Sequence, residues 1–65
     1  MVAKRLTVAQ RKEIFRELVE IQDSLQDVRK SRQIIMEKHR ITDHQLRKIE
    51  DEGIRRQWPP LDQDN

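Results

Sequence analysis

A chain of 65 residues and 7.9 kDa forms at most one small domain, since at this length only about 60% of the unfolded surface is buried on folding; a deep enclosed active site is thereby excluded. Hydrophobic residues make up 34% of the sequence, charged residues 40% and aromatics 3%, the last being Phe15 and Trp58 alone, which places the chain near the polar edge of what folds. The absence of cysteine excludes disulfides, thiolate zinc sites and a cysteine nucleophile, and 14 Lys+Arg against 12 Asp+Glu leave a net charge of only +2.

No glycine or proline precedes Gly53, and apolar residues recur at Ile14, Leu18, Ile21, Leu25 and Val28 with Phe15 and Val19 beside them, the spacing of one helical face. Strand patterns are absent, so an all-α fold is expected. Thr7-Val8-Ala9-Gln10 is a capping box that starts a first helix near residue 8. Its end is set only within a window. Weak helix formers at Gln22-Asp23-Ser24 and Gln26-Asp27 place a break somewhere in 23–28, giving a first helix over about 8–22.

A second amphipathic segment over 28–39 runs through Val28, Ser31, Ile34, Ile35 and Lys38 and ends near His39-Arg40. Thr42 then caps a third helix, with Gln45 three residues on and with Ile41 and Leu46 spaced as a hydrophobic staple. This helix begins at Asp43. Leu46, Ile49 and Ile54 form its thin apolar stripe, and Gly53, which costs about 1 kcal/mol relative to alanine inside a helix, either caps it or is carried through to about residue 56. Trp58-Pro59-Pro60-Leu61 leaves the helical conformation, and residues 58–65 form a C-terminal tail ending in a frayed terminus.

The expected architecture is therefore a small three-helix domain whose last two helices, joined by a tight connection, have the form of a helix-turn-helix. The alternative is one long helix over 8–39, as a helical hairpin or a coiled-coil dimer whose seam is Ile14, Leu18, Ile21, Leu25, Val28 and, after Arg32 interrupts it, Ile35. On the helix-turn-helix reading the third helix enters the major groove of double-stranded DNA. His44, Arg47 and Lys48 then read base edges, Arg47 being best suited to a bidentate guanine contact, and Arg40, Arg55 and Arg56 hold phosphates. The plain alternative is a capped helix with solvated charges, such as an Arg47 to Asp51 pair.

The segment Ile41-Thr42-Asp43-His44-Gln45-Leu46-Arg47-Lys48-Ile49-Glu50-Asp51-Glu52-Gly53-Ile54-Arg55-Arg56 resembles the recognition helix in the C-terminal region four of bacterial sigma factors. That family shows a valine-threonine entry, a polar turn, then Ile-Arg-x-Ile-Glu and a Leu-Arg-Lys run; here Ile41, Thr42, Leu46, Arg47, Ile49, Glu50, Ile54, Arg55 and Arg56 stand at matching positions. The match covers about sixteen residues. The resemblance implies binding to a promoter hexamer, with His44, Arg47 and Lys48 at base-reading positions and Arg55 and Arg56 where the family contacts backbone or partner proteins. The chain departs from the pattern at Asp43, where primary sigma factors commonly have arginine, and at Glu52, where they commonly have lysine. It departs also at Met36, a helix-crossing position usually held by glycine or alanine, and at His39, which replaces an apolar residue.

The functional expectation is a DNA-binding or transcription-associated regulator. The alternative is a non-enzymatic adaptor that presents a helical face, or the segment Trp58, Pro59, Pro60 and Leu61, to the transcription machinery or another protein; for that tryptophan, folding back into a small core is the competing and favoured role. A homodimer is compatible with either. No enzyme chemistry is expected: His39 and His44 lie five apart across a turn without an obvious third ligand, so no metal or other cofactor is expected, and one glycine makes no phosphate loop. No charge-free run spans a bilayer, and Met1 to Arg5 are not followed by the apolar stretch of a secretory signal, so no membrane partner and a cytoplasmic location are expected.

Overall fold

The computed structural model describes residues 5–59 and 61, and these form three α-helices and, among the described residues, no strand: α1 Val8–Leu25, α2 Val28–His39 and α3 Asp43–Arg56. Each helix starts on a side-chain cap. The Thr7 hydroxyl accepts from the Gln10 amide while the Gln10 side chain accepts from the Thr7 amide, and Thr42 and Gln45 repeat this arrangement at α3. Asp27 caps α2 by accepting from the Lys30 amide at 3.0 Å. The first helix runs to Leu25 rather than stopping near residue 22, because Asp23 and Ser24 are weak formers but not breakers.

The single long helix over 8–39 does not form. Gln26 adopts a left-handed conformation with φ 56°, its amide donates to the Gln22 carbonyl, and Asp27 opens a new helix. The apolar series of the coiled-coil alternative is thereby divided: Ile14, Leu18 and Ile35 are buried in the domain's own core, whereas Leu25 and Val28 at the break are exposed.

That core consists of Ile14, Phe15, Leu18, Ile35, Ile41, Leu46, Ile49 and Trp58, with Leu6, Val19, Ile21 and Met36 packed against it. Ile41 and Trp58 reach it by the same device. Arg40 (φ 55°) and Gln57 (φ 53°) turn the chain left-handed at the ends of α2 and α3, and the following amides of Ile41 and Trp58 donate back to the carbonyls of Met36 and Gly53 at 3.1 and 2.9 Å. This Schellman-type closure folds the next apolar side chain under the helix end, at the roughly 1 kcal/mol that a non-glycine residue incurs in this conformation.

Gly53 does not end α3; it lies buried within it, and a Cβ there would overlap the Phe15 ring. The Phe15 ring of α1 thus packs directly on the bare backbone of α3 at Gly53. Met36, at the position where the sigma-factor pattern puts a small residue, is half-buried against the core. Trp58 completes this end of the molecule, its ring meeting Phe15 edge-on at 6.1 Å and 78°. It is therefore a core residue, the folded-back role favoured from the sequence, and Trp58 itself is not available as an exposed docking residue. Pro59 and Leu61 are exposed, and Pro60 and the terminal residues 62–65 lie outside the described residues.

Glu17 ties α1 to α2 through one oxygen, Oε1, which accepts from Lys38 Nζ at 2.9 Å and lies 3.1 Å from His39 Nε2. Partial burial pushes the Glu17 carboxyl up, but the hydrogen bonds from Lys38 and His39 and their positive charge outweigh it, and the group sits below its ordinary value. Folding therefore favours the ionised carboxylate. Its stabilisation is full above the unfolded value and is lost as pH falls through the lower folded one. Glu17→Gln is expected to lower stability near neutral pH by about 1–2 kcal/mol. The gap to the parent protein, followed in urea melts, should close as pH is lowered below the ordinary carboxylate range, whereas a gap unchanged with pH would contradict this role.

Candidate nucleic-acid interface

Three residues, Arg40, Ile41 and Thr42, connect α2 to α3, the length found in helix-turn-helix motifs. Ile41 is buried at the centre of this turn and Thr42 caps α3, so the direction in which α3 leaves the turn is set by a packed side chain and a cap. Leu46, Ile49 and Gly53 occupy the inward side of α3. At 100° per residue, the opposite side carries His44, Arg47, Lys48, Asp51 and Arg55 in a single stripe, and all five are exposed. The three residues assigned to base reading thus stand together on the first two turns, facing away from the core. Arg55 extends the stripe, Arg40 is exposed in the turn, and Arg56 is exposed to one side.

The charges of this face are balanced. Within α3, Arg47, Lys48, Arg55 and Arg56 are matched in number by Asp43, Glu50, Asp51 and Glu52. Arg47 Nε pairs with Asp43 Oδ2 at 2.9 Å, Arg55 Nη2 with Asp51 Oδ2 at 3.2 Å and Arg56 Nε with Glu52 Oε2 at 3.3 Å, every partner lying four residues before its arginine. The Arg47 to Asp51 pairing expected from spacing is not the one formed: acid before base is the favoured order along a helix, and Asp43 takes Arg47. Glu52 is shared with Arg11 of α1, whose Nε lies 3.1 Å away. Arg40 and Lys48 have no carboxylate partner among the described residues, and Lys48 borders a shallow hollow with Arg5, Leu6 and Arg11.

Asp43 faces a second cation from α2. Arg32, which interrupts the apolar series in the sequence, is largely buried and donates through Nη1 to Glu50 and through Nη2 to Asp43. Desolvation works against the Arg32 charge, but the hydrogen bonds to Asp43 and Glu50 outweigh it and hold the guanidinium protonated. The Arg32 hydrogen bond in turn, aided by the charge of Arg47, draws the Asp43 carboxyl below its usual range. Sequence reading missed this bridge between helices. The available signal was a lone arginine within an otherwise apolar helical stripe, which calls for a buried carboxylate partner.

Of the two histidines, His39 faces Glu17 on the α1–α2 side and His44 stands on the outward stripe of α3, so the structure does not bring them together. Among the described residues no group of three His, Asp or Glu side chains is placed to hold a metal ion, and no helix is long and apolar enough to cross a membrane. No protein-family model matches the chain, and no curated protein or solved structure shows significant similarity to it.

Proposed function

We propose that this chain is a DNA-binding, transcription-associated regulator that lays α3 in the major groove of double-stranded DNA through a helix-turn-helix of the kind found in sigma region four. The observation that carries this reading is the outward stripe of His44, Arg47 and Lys48 on the first two turns of a helix that follows a three-residue turn. A groove about 12 Å wide admits such a helix, and the N-terminal residues of a recognition helix are those that reach base edges. Arg40 in the turn and Arg55 further along α3 contact phosphates on either side. Because the acidic residues of α3 offset its basic ones, non-specific affinity is small, and useful occupancy calls for a second copy on an adjacent half-site or a second module.

The roles of the two arginines separate in a binding assay. Arg47→Ala should weaken binding to a selected site by about 1–3 kcal/mol and relax one base position, whereas Arg55→Ala should weaken all sequences alike and reduce the salt slope. Equal losses on every sequence from Arg47→Ala would contradict base reading.

A second reading, a protein-binding adaptor, is favoured by one feature: Ile54 is 63% exposed among the charges of α3 and Leu61 is 42% exposed beyond it. It expects a partner recovered in nuclease-treated extract and lost on Ile54→Ser.

A further inference from the structure

Arg47 projects into solvent, with its side chain 75% exposed, yet it is held at one end. Asp43 uses its two oxygens separately: Oδ2 engages Arg47 Nε, while Oδ1 accepts from Arg32 Nη2. Arg32 is itself fixed from the other side by Glu50, and its side chain is only 16% exposed. The four residues form a chain from the α2–α3 seam outward, Glu50 to Arg32 to Asp43 to Arg47. The inner two, Glu50 and Arg32, are partly buried, and the outer two, Asp43 and Arg47, are exposed.

The geometry points to a positioning role for Asp43 and Arg32 in base recognition, resting on the DNA-binding reading above: they orient Arg47 so that it reads guanine. A guanidinium held through Nε keeps Nη1 and Nη2 as its free edge, and those two groups match the O6 and N7 acceptors that guanine alone presents side by side in the major groove. An arginine that swings freely reaches phosphates as readily as bases, whereas a preorganised fork loses less freedom on forming the paired contact. The aspartate is unfavourable for bulk affinity, since it stands where a phosphate would be repelled. Its place in this network, between Arg32 and Arg47, is accounted for by selectivity. Asp43 and Arg32 thus trade non-specific attraction for discrimination at one base pair.

The test is selection from a pool of duplexes with a randomised ten-base-pair centre, run in parallel with the parent protein, Arg47→Ala, Asp43→Asn and Asp43→Glu, each first checked for a cooperative thermal melt. The parent protein should enrich guanine at one position that Arg47→Ala loses. In Asp43 each arginine is served by a different oxygen; asparagine replaces one of these with an NH2 group that cannot accept from a guanidinium, and so loses one of the two contacts. Asp43→Asn should therefore bind an unselected duplex at least as tightly as the parent protein while its guanine preference falls on the order of tenfold. Asp43→Glu keeps the charge but lengthens the arm, and should also broaden that position. Retention of the parent's guanine preference in either Asp43 variant overturns the positioning role while leaving DNA binding intact. Absence of any enriched sequence and of any binding by the parent protein overturns both.

Discussion

Replacing Trp58 with alanine is expected to cost about 3–5 kcal/mol and to leave the domain largely unfolded at room temperature. A 65-residue domain has a total stability of only about 3–10 kcal/mol on the usual per-residue scale. Trp58 is 5% exposed. Its ring stands edge-on to Phe15, a contact that adds about 0.5–1.5 kcal/mol beyond burial, and its amide closes the end of α3 on the Gly53 carbonyl. Pro59 follows directly, so the backbone cannot extend the helix to cover the gap. Far-UV circular dichroism melts provide the check. A cooperative transition within a few degrees of the parent protein would show that the tryptophan is dispensable, and in the parent protein a blue-shifted emission maximum is the matching expectation.

Gly53→Val is expected to destabilise the fold by about 1–3 kcal/mol, although valine forms helix more readily than glycine. Helix propensity alone favours filling this position, by about 1 kcal/mol for alanine and less for valine. Opposed to this is the space available: the first carbon added to Gly53 would overlap the ring of Phe15, which is 3% exposed and backed by Trp58. Overpacking of this kind costs about 1–3 kcal/mol, and the branched methyls of valine add to it where the ring has no room to retreat. Gly53→Ala should be the milder member of the pair, still net destabilising. An alanine variant more stable than the parent protein in chemical denaturation would show that α1 and α3 move apart freely.

What the sequence disclosed was local. Thr7 and Thr42 were legible as helix starts because a capping box is written in four consecutive residues, and Leu46 and Ile49 as inward residues of α3 because they follow the helical repeat; Ile54, read into the same stripe, is exposed, and Gly53 takes the inward place. The break between α1 and α2 was legible only as a window, since Gln26 has no intrinsic preference for the left-handed conformation it adopts. Gly53 was ambiguous as well. Whether a glycine ends a helix or passes through it depended on Phe15, thirty-eight positions away in the chain. Trp58 was assigned both a docking and a core role, and its contact with Phe15 decides for the core.

The candidate interface was legible as a set of residues but not as an electrostatic arrangement. Spacing put His44, Arg47 and Lys48 on one exposed face, where they are found. It did not reveal that Asp43 would hold Arg47, nor that Arg32, eleven residues before Asp43 and eighteen before Glu50, would bridge them both. Cross-helix pairs of this kind depend on how two helices are set against each other, which no single-helix pattern contains. Asp43 looked in the sequence like a fault in a DNA-facing helix; in the fold it belongs to a network.

The central claim is that the outward face of α3 binds duplex DNA. Its most direct test is the fluorescence anisotropy of a labelled random-sequence duplex titrated with the protein at salt concentrations from low to physiological. Binding at low salt that weakens by about 0.9 log unit per phosphate contacted for each tenfold rise in salt is the expected result. An anisotropy that stays flat at the lowest salt, with protein that melts cooperatively, would contradict the claim.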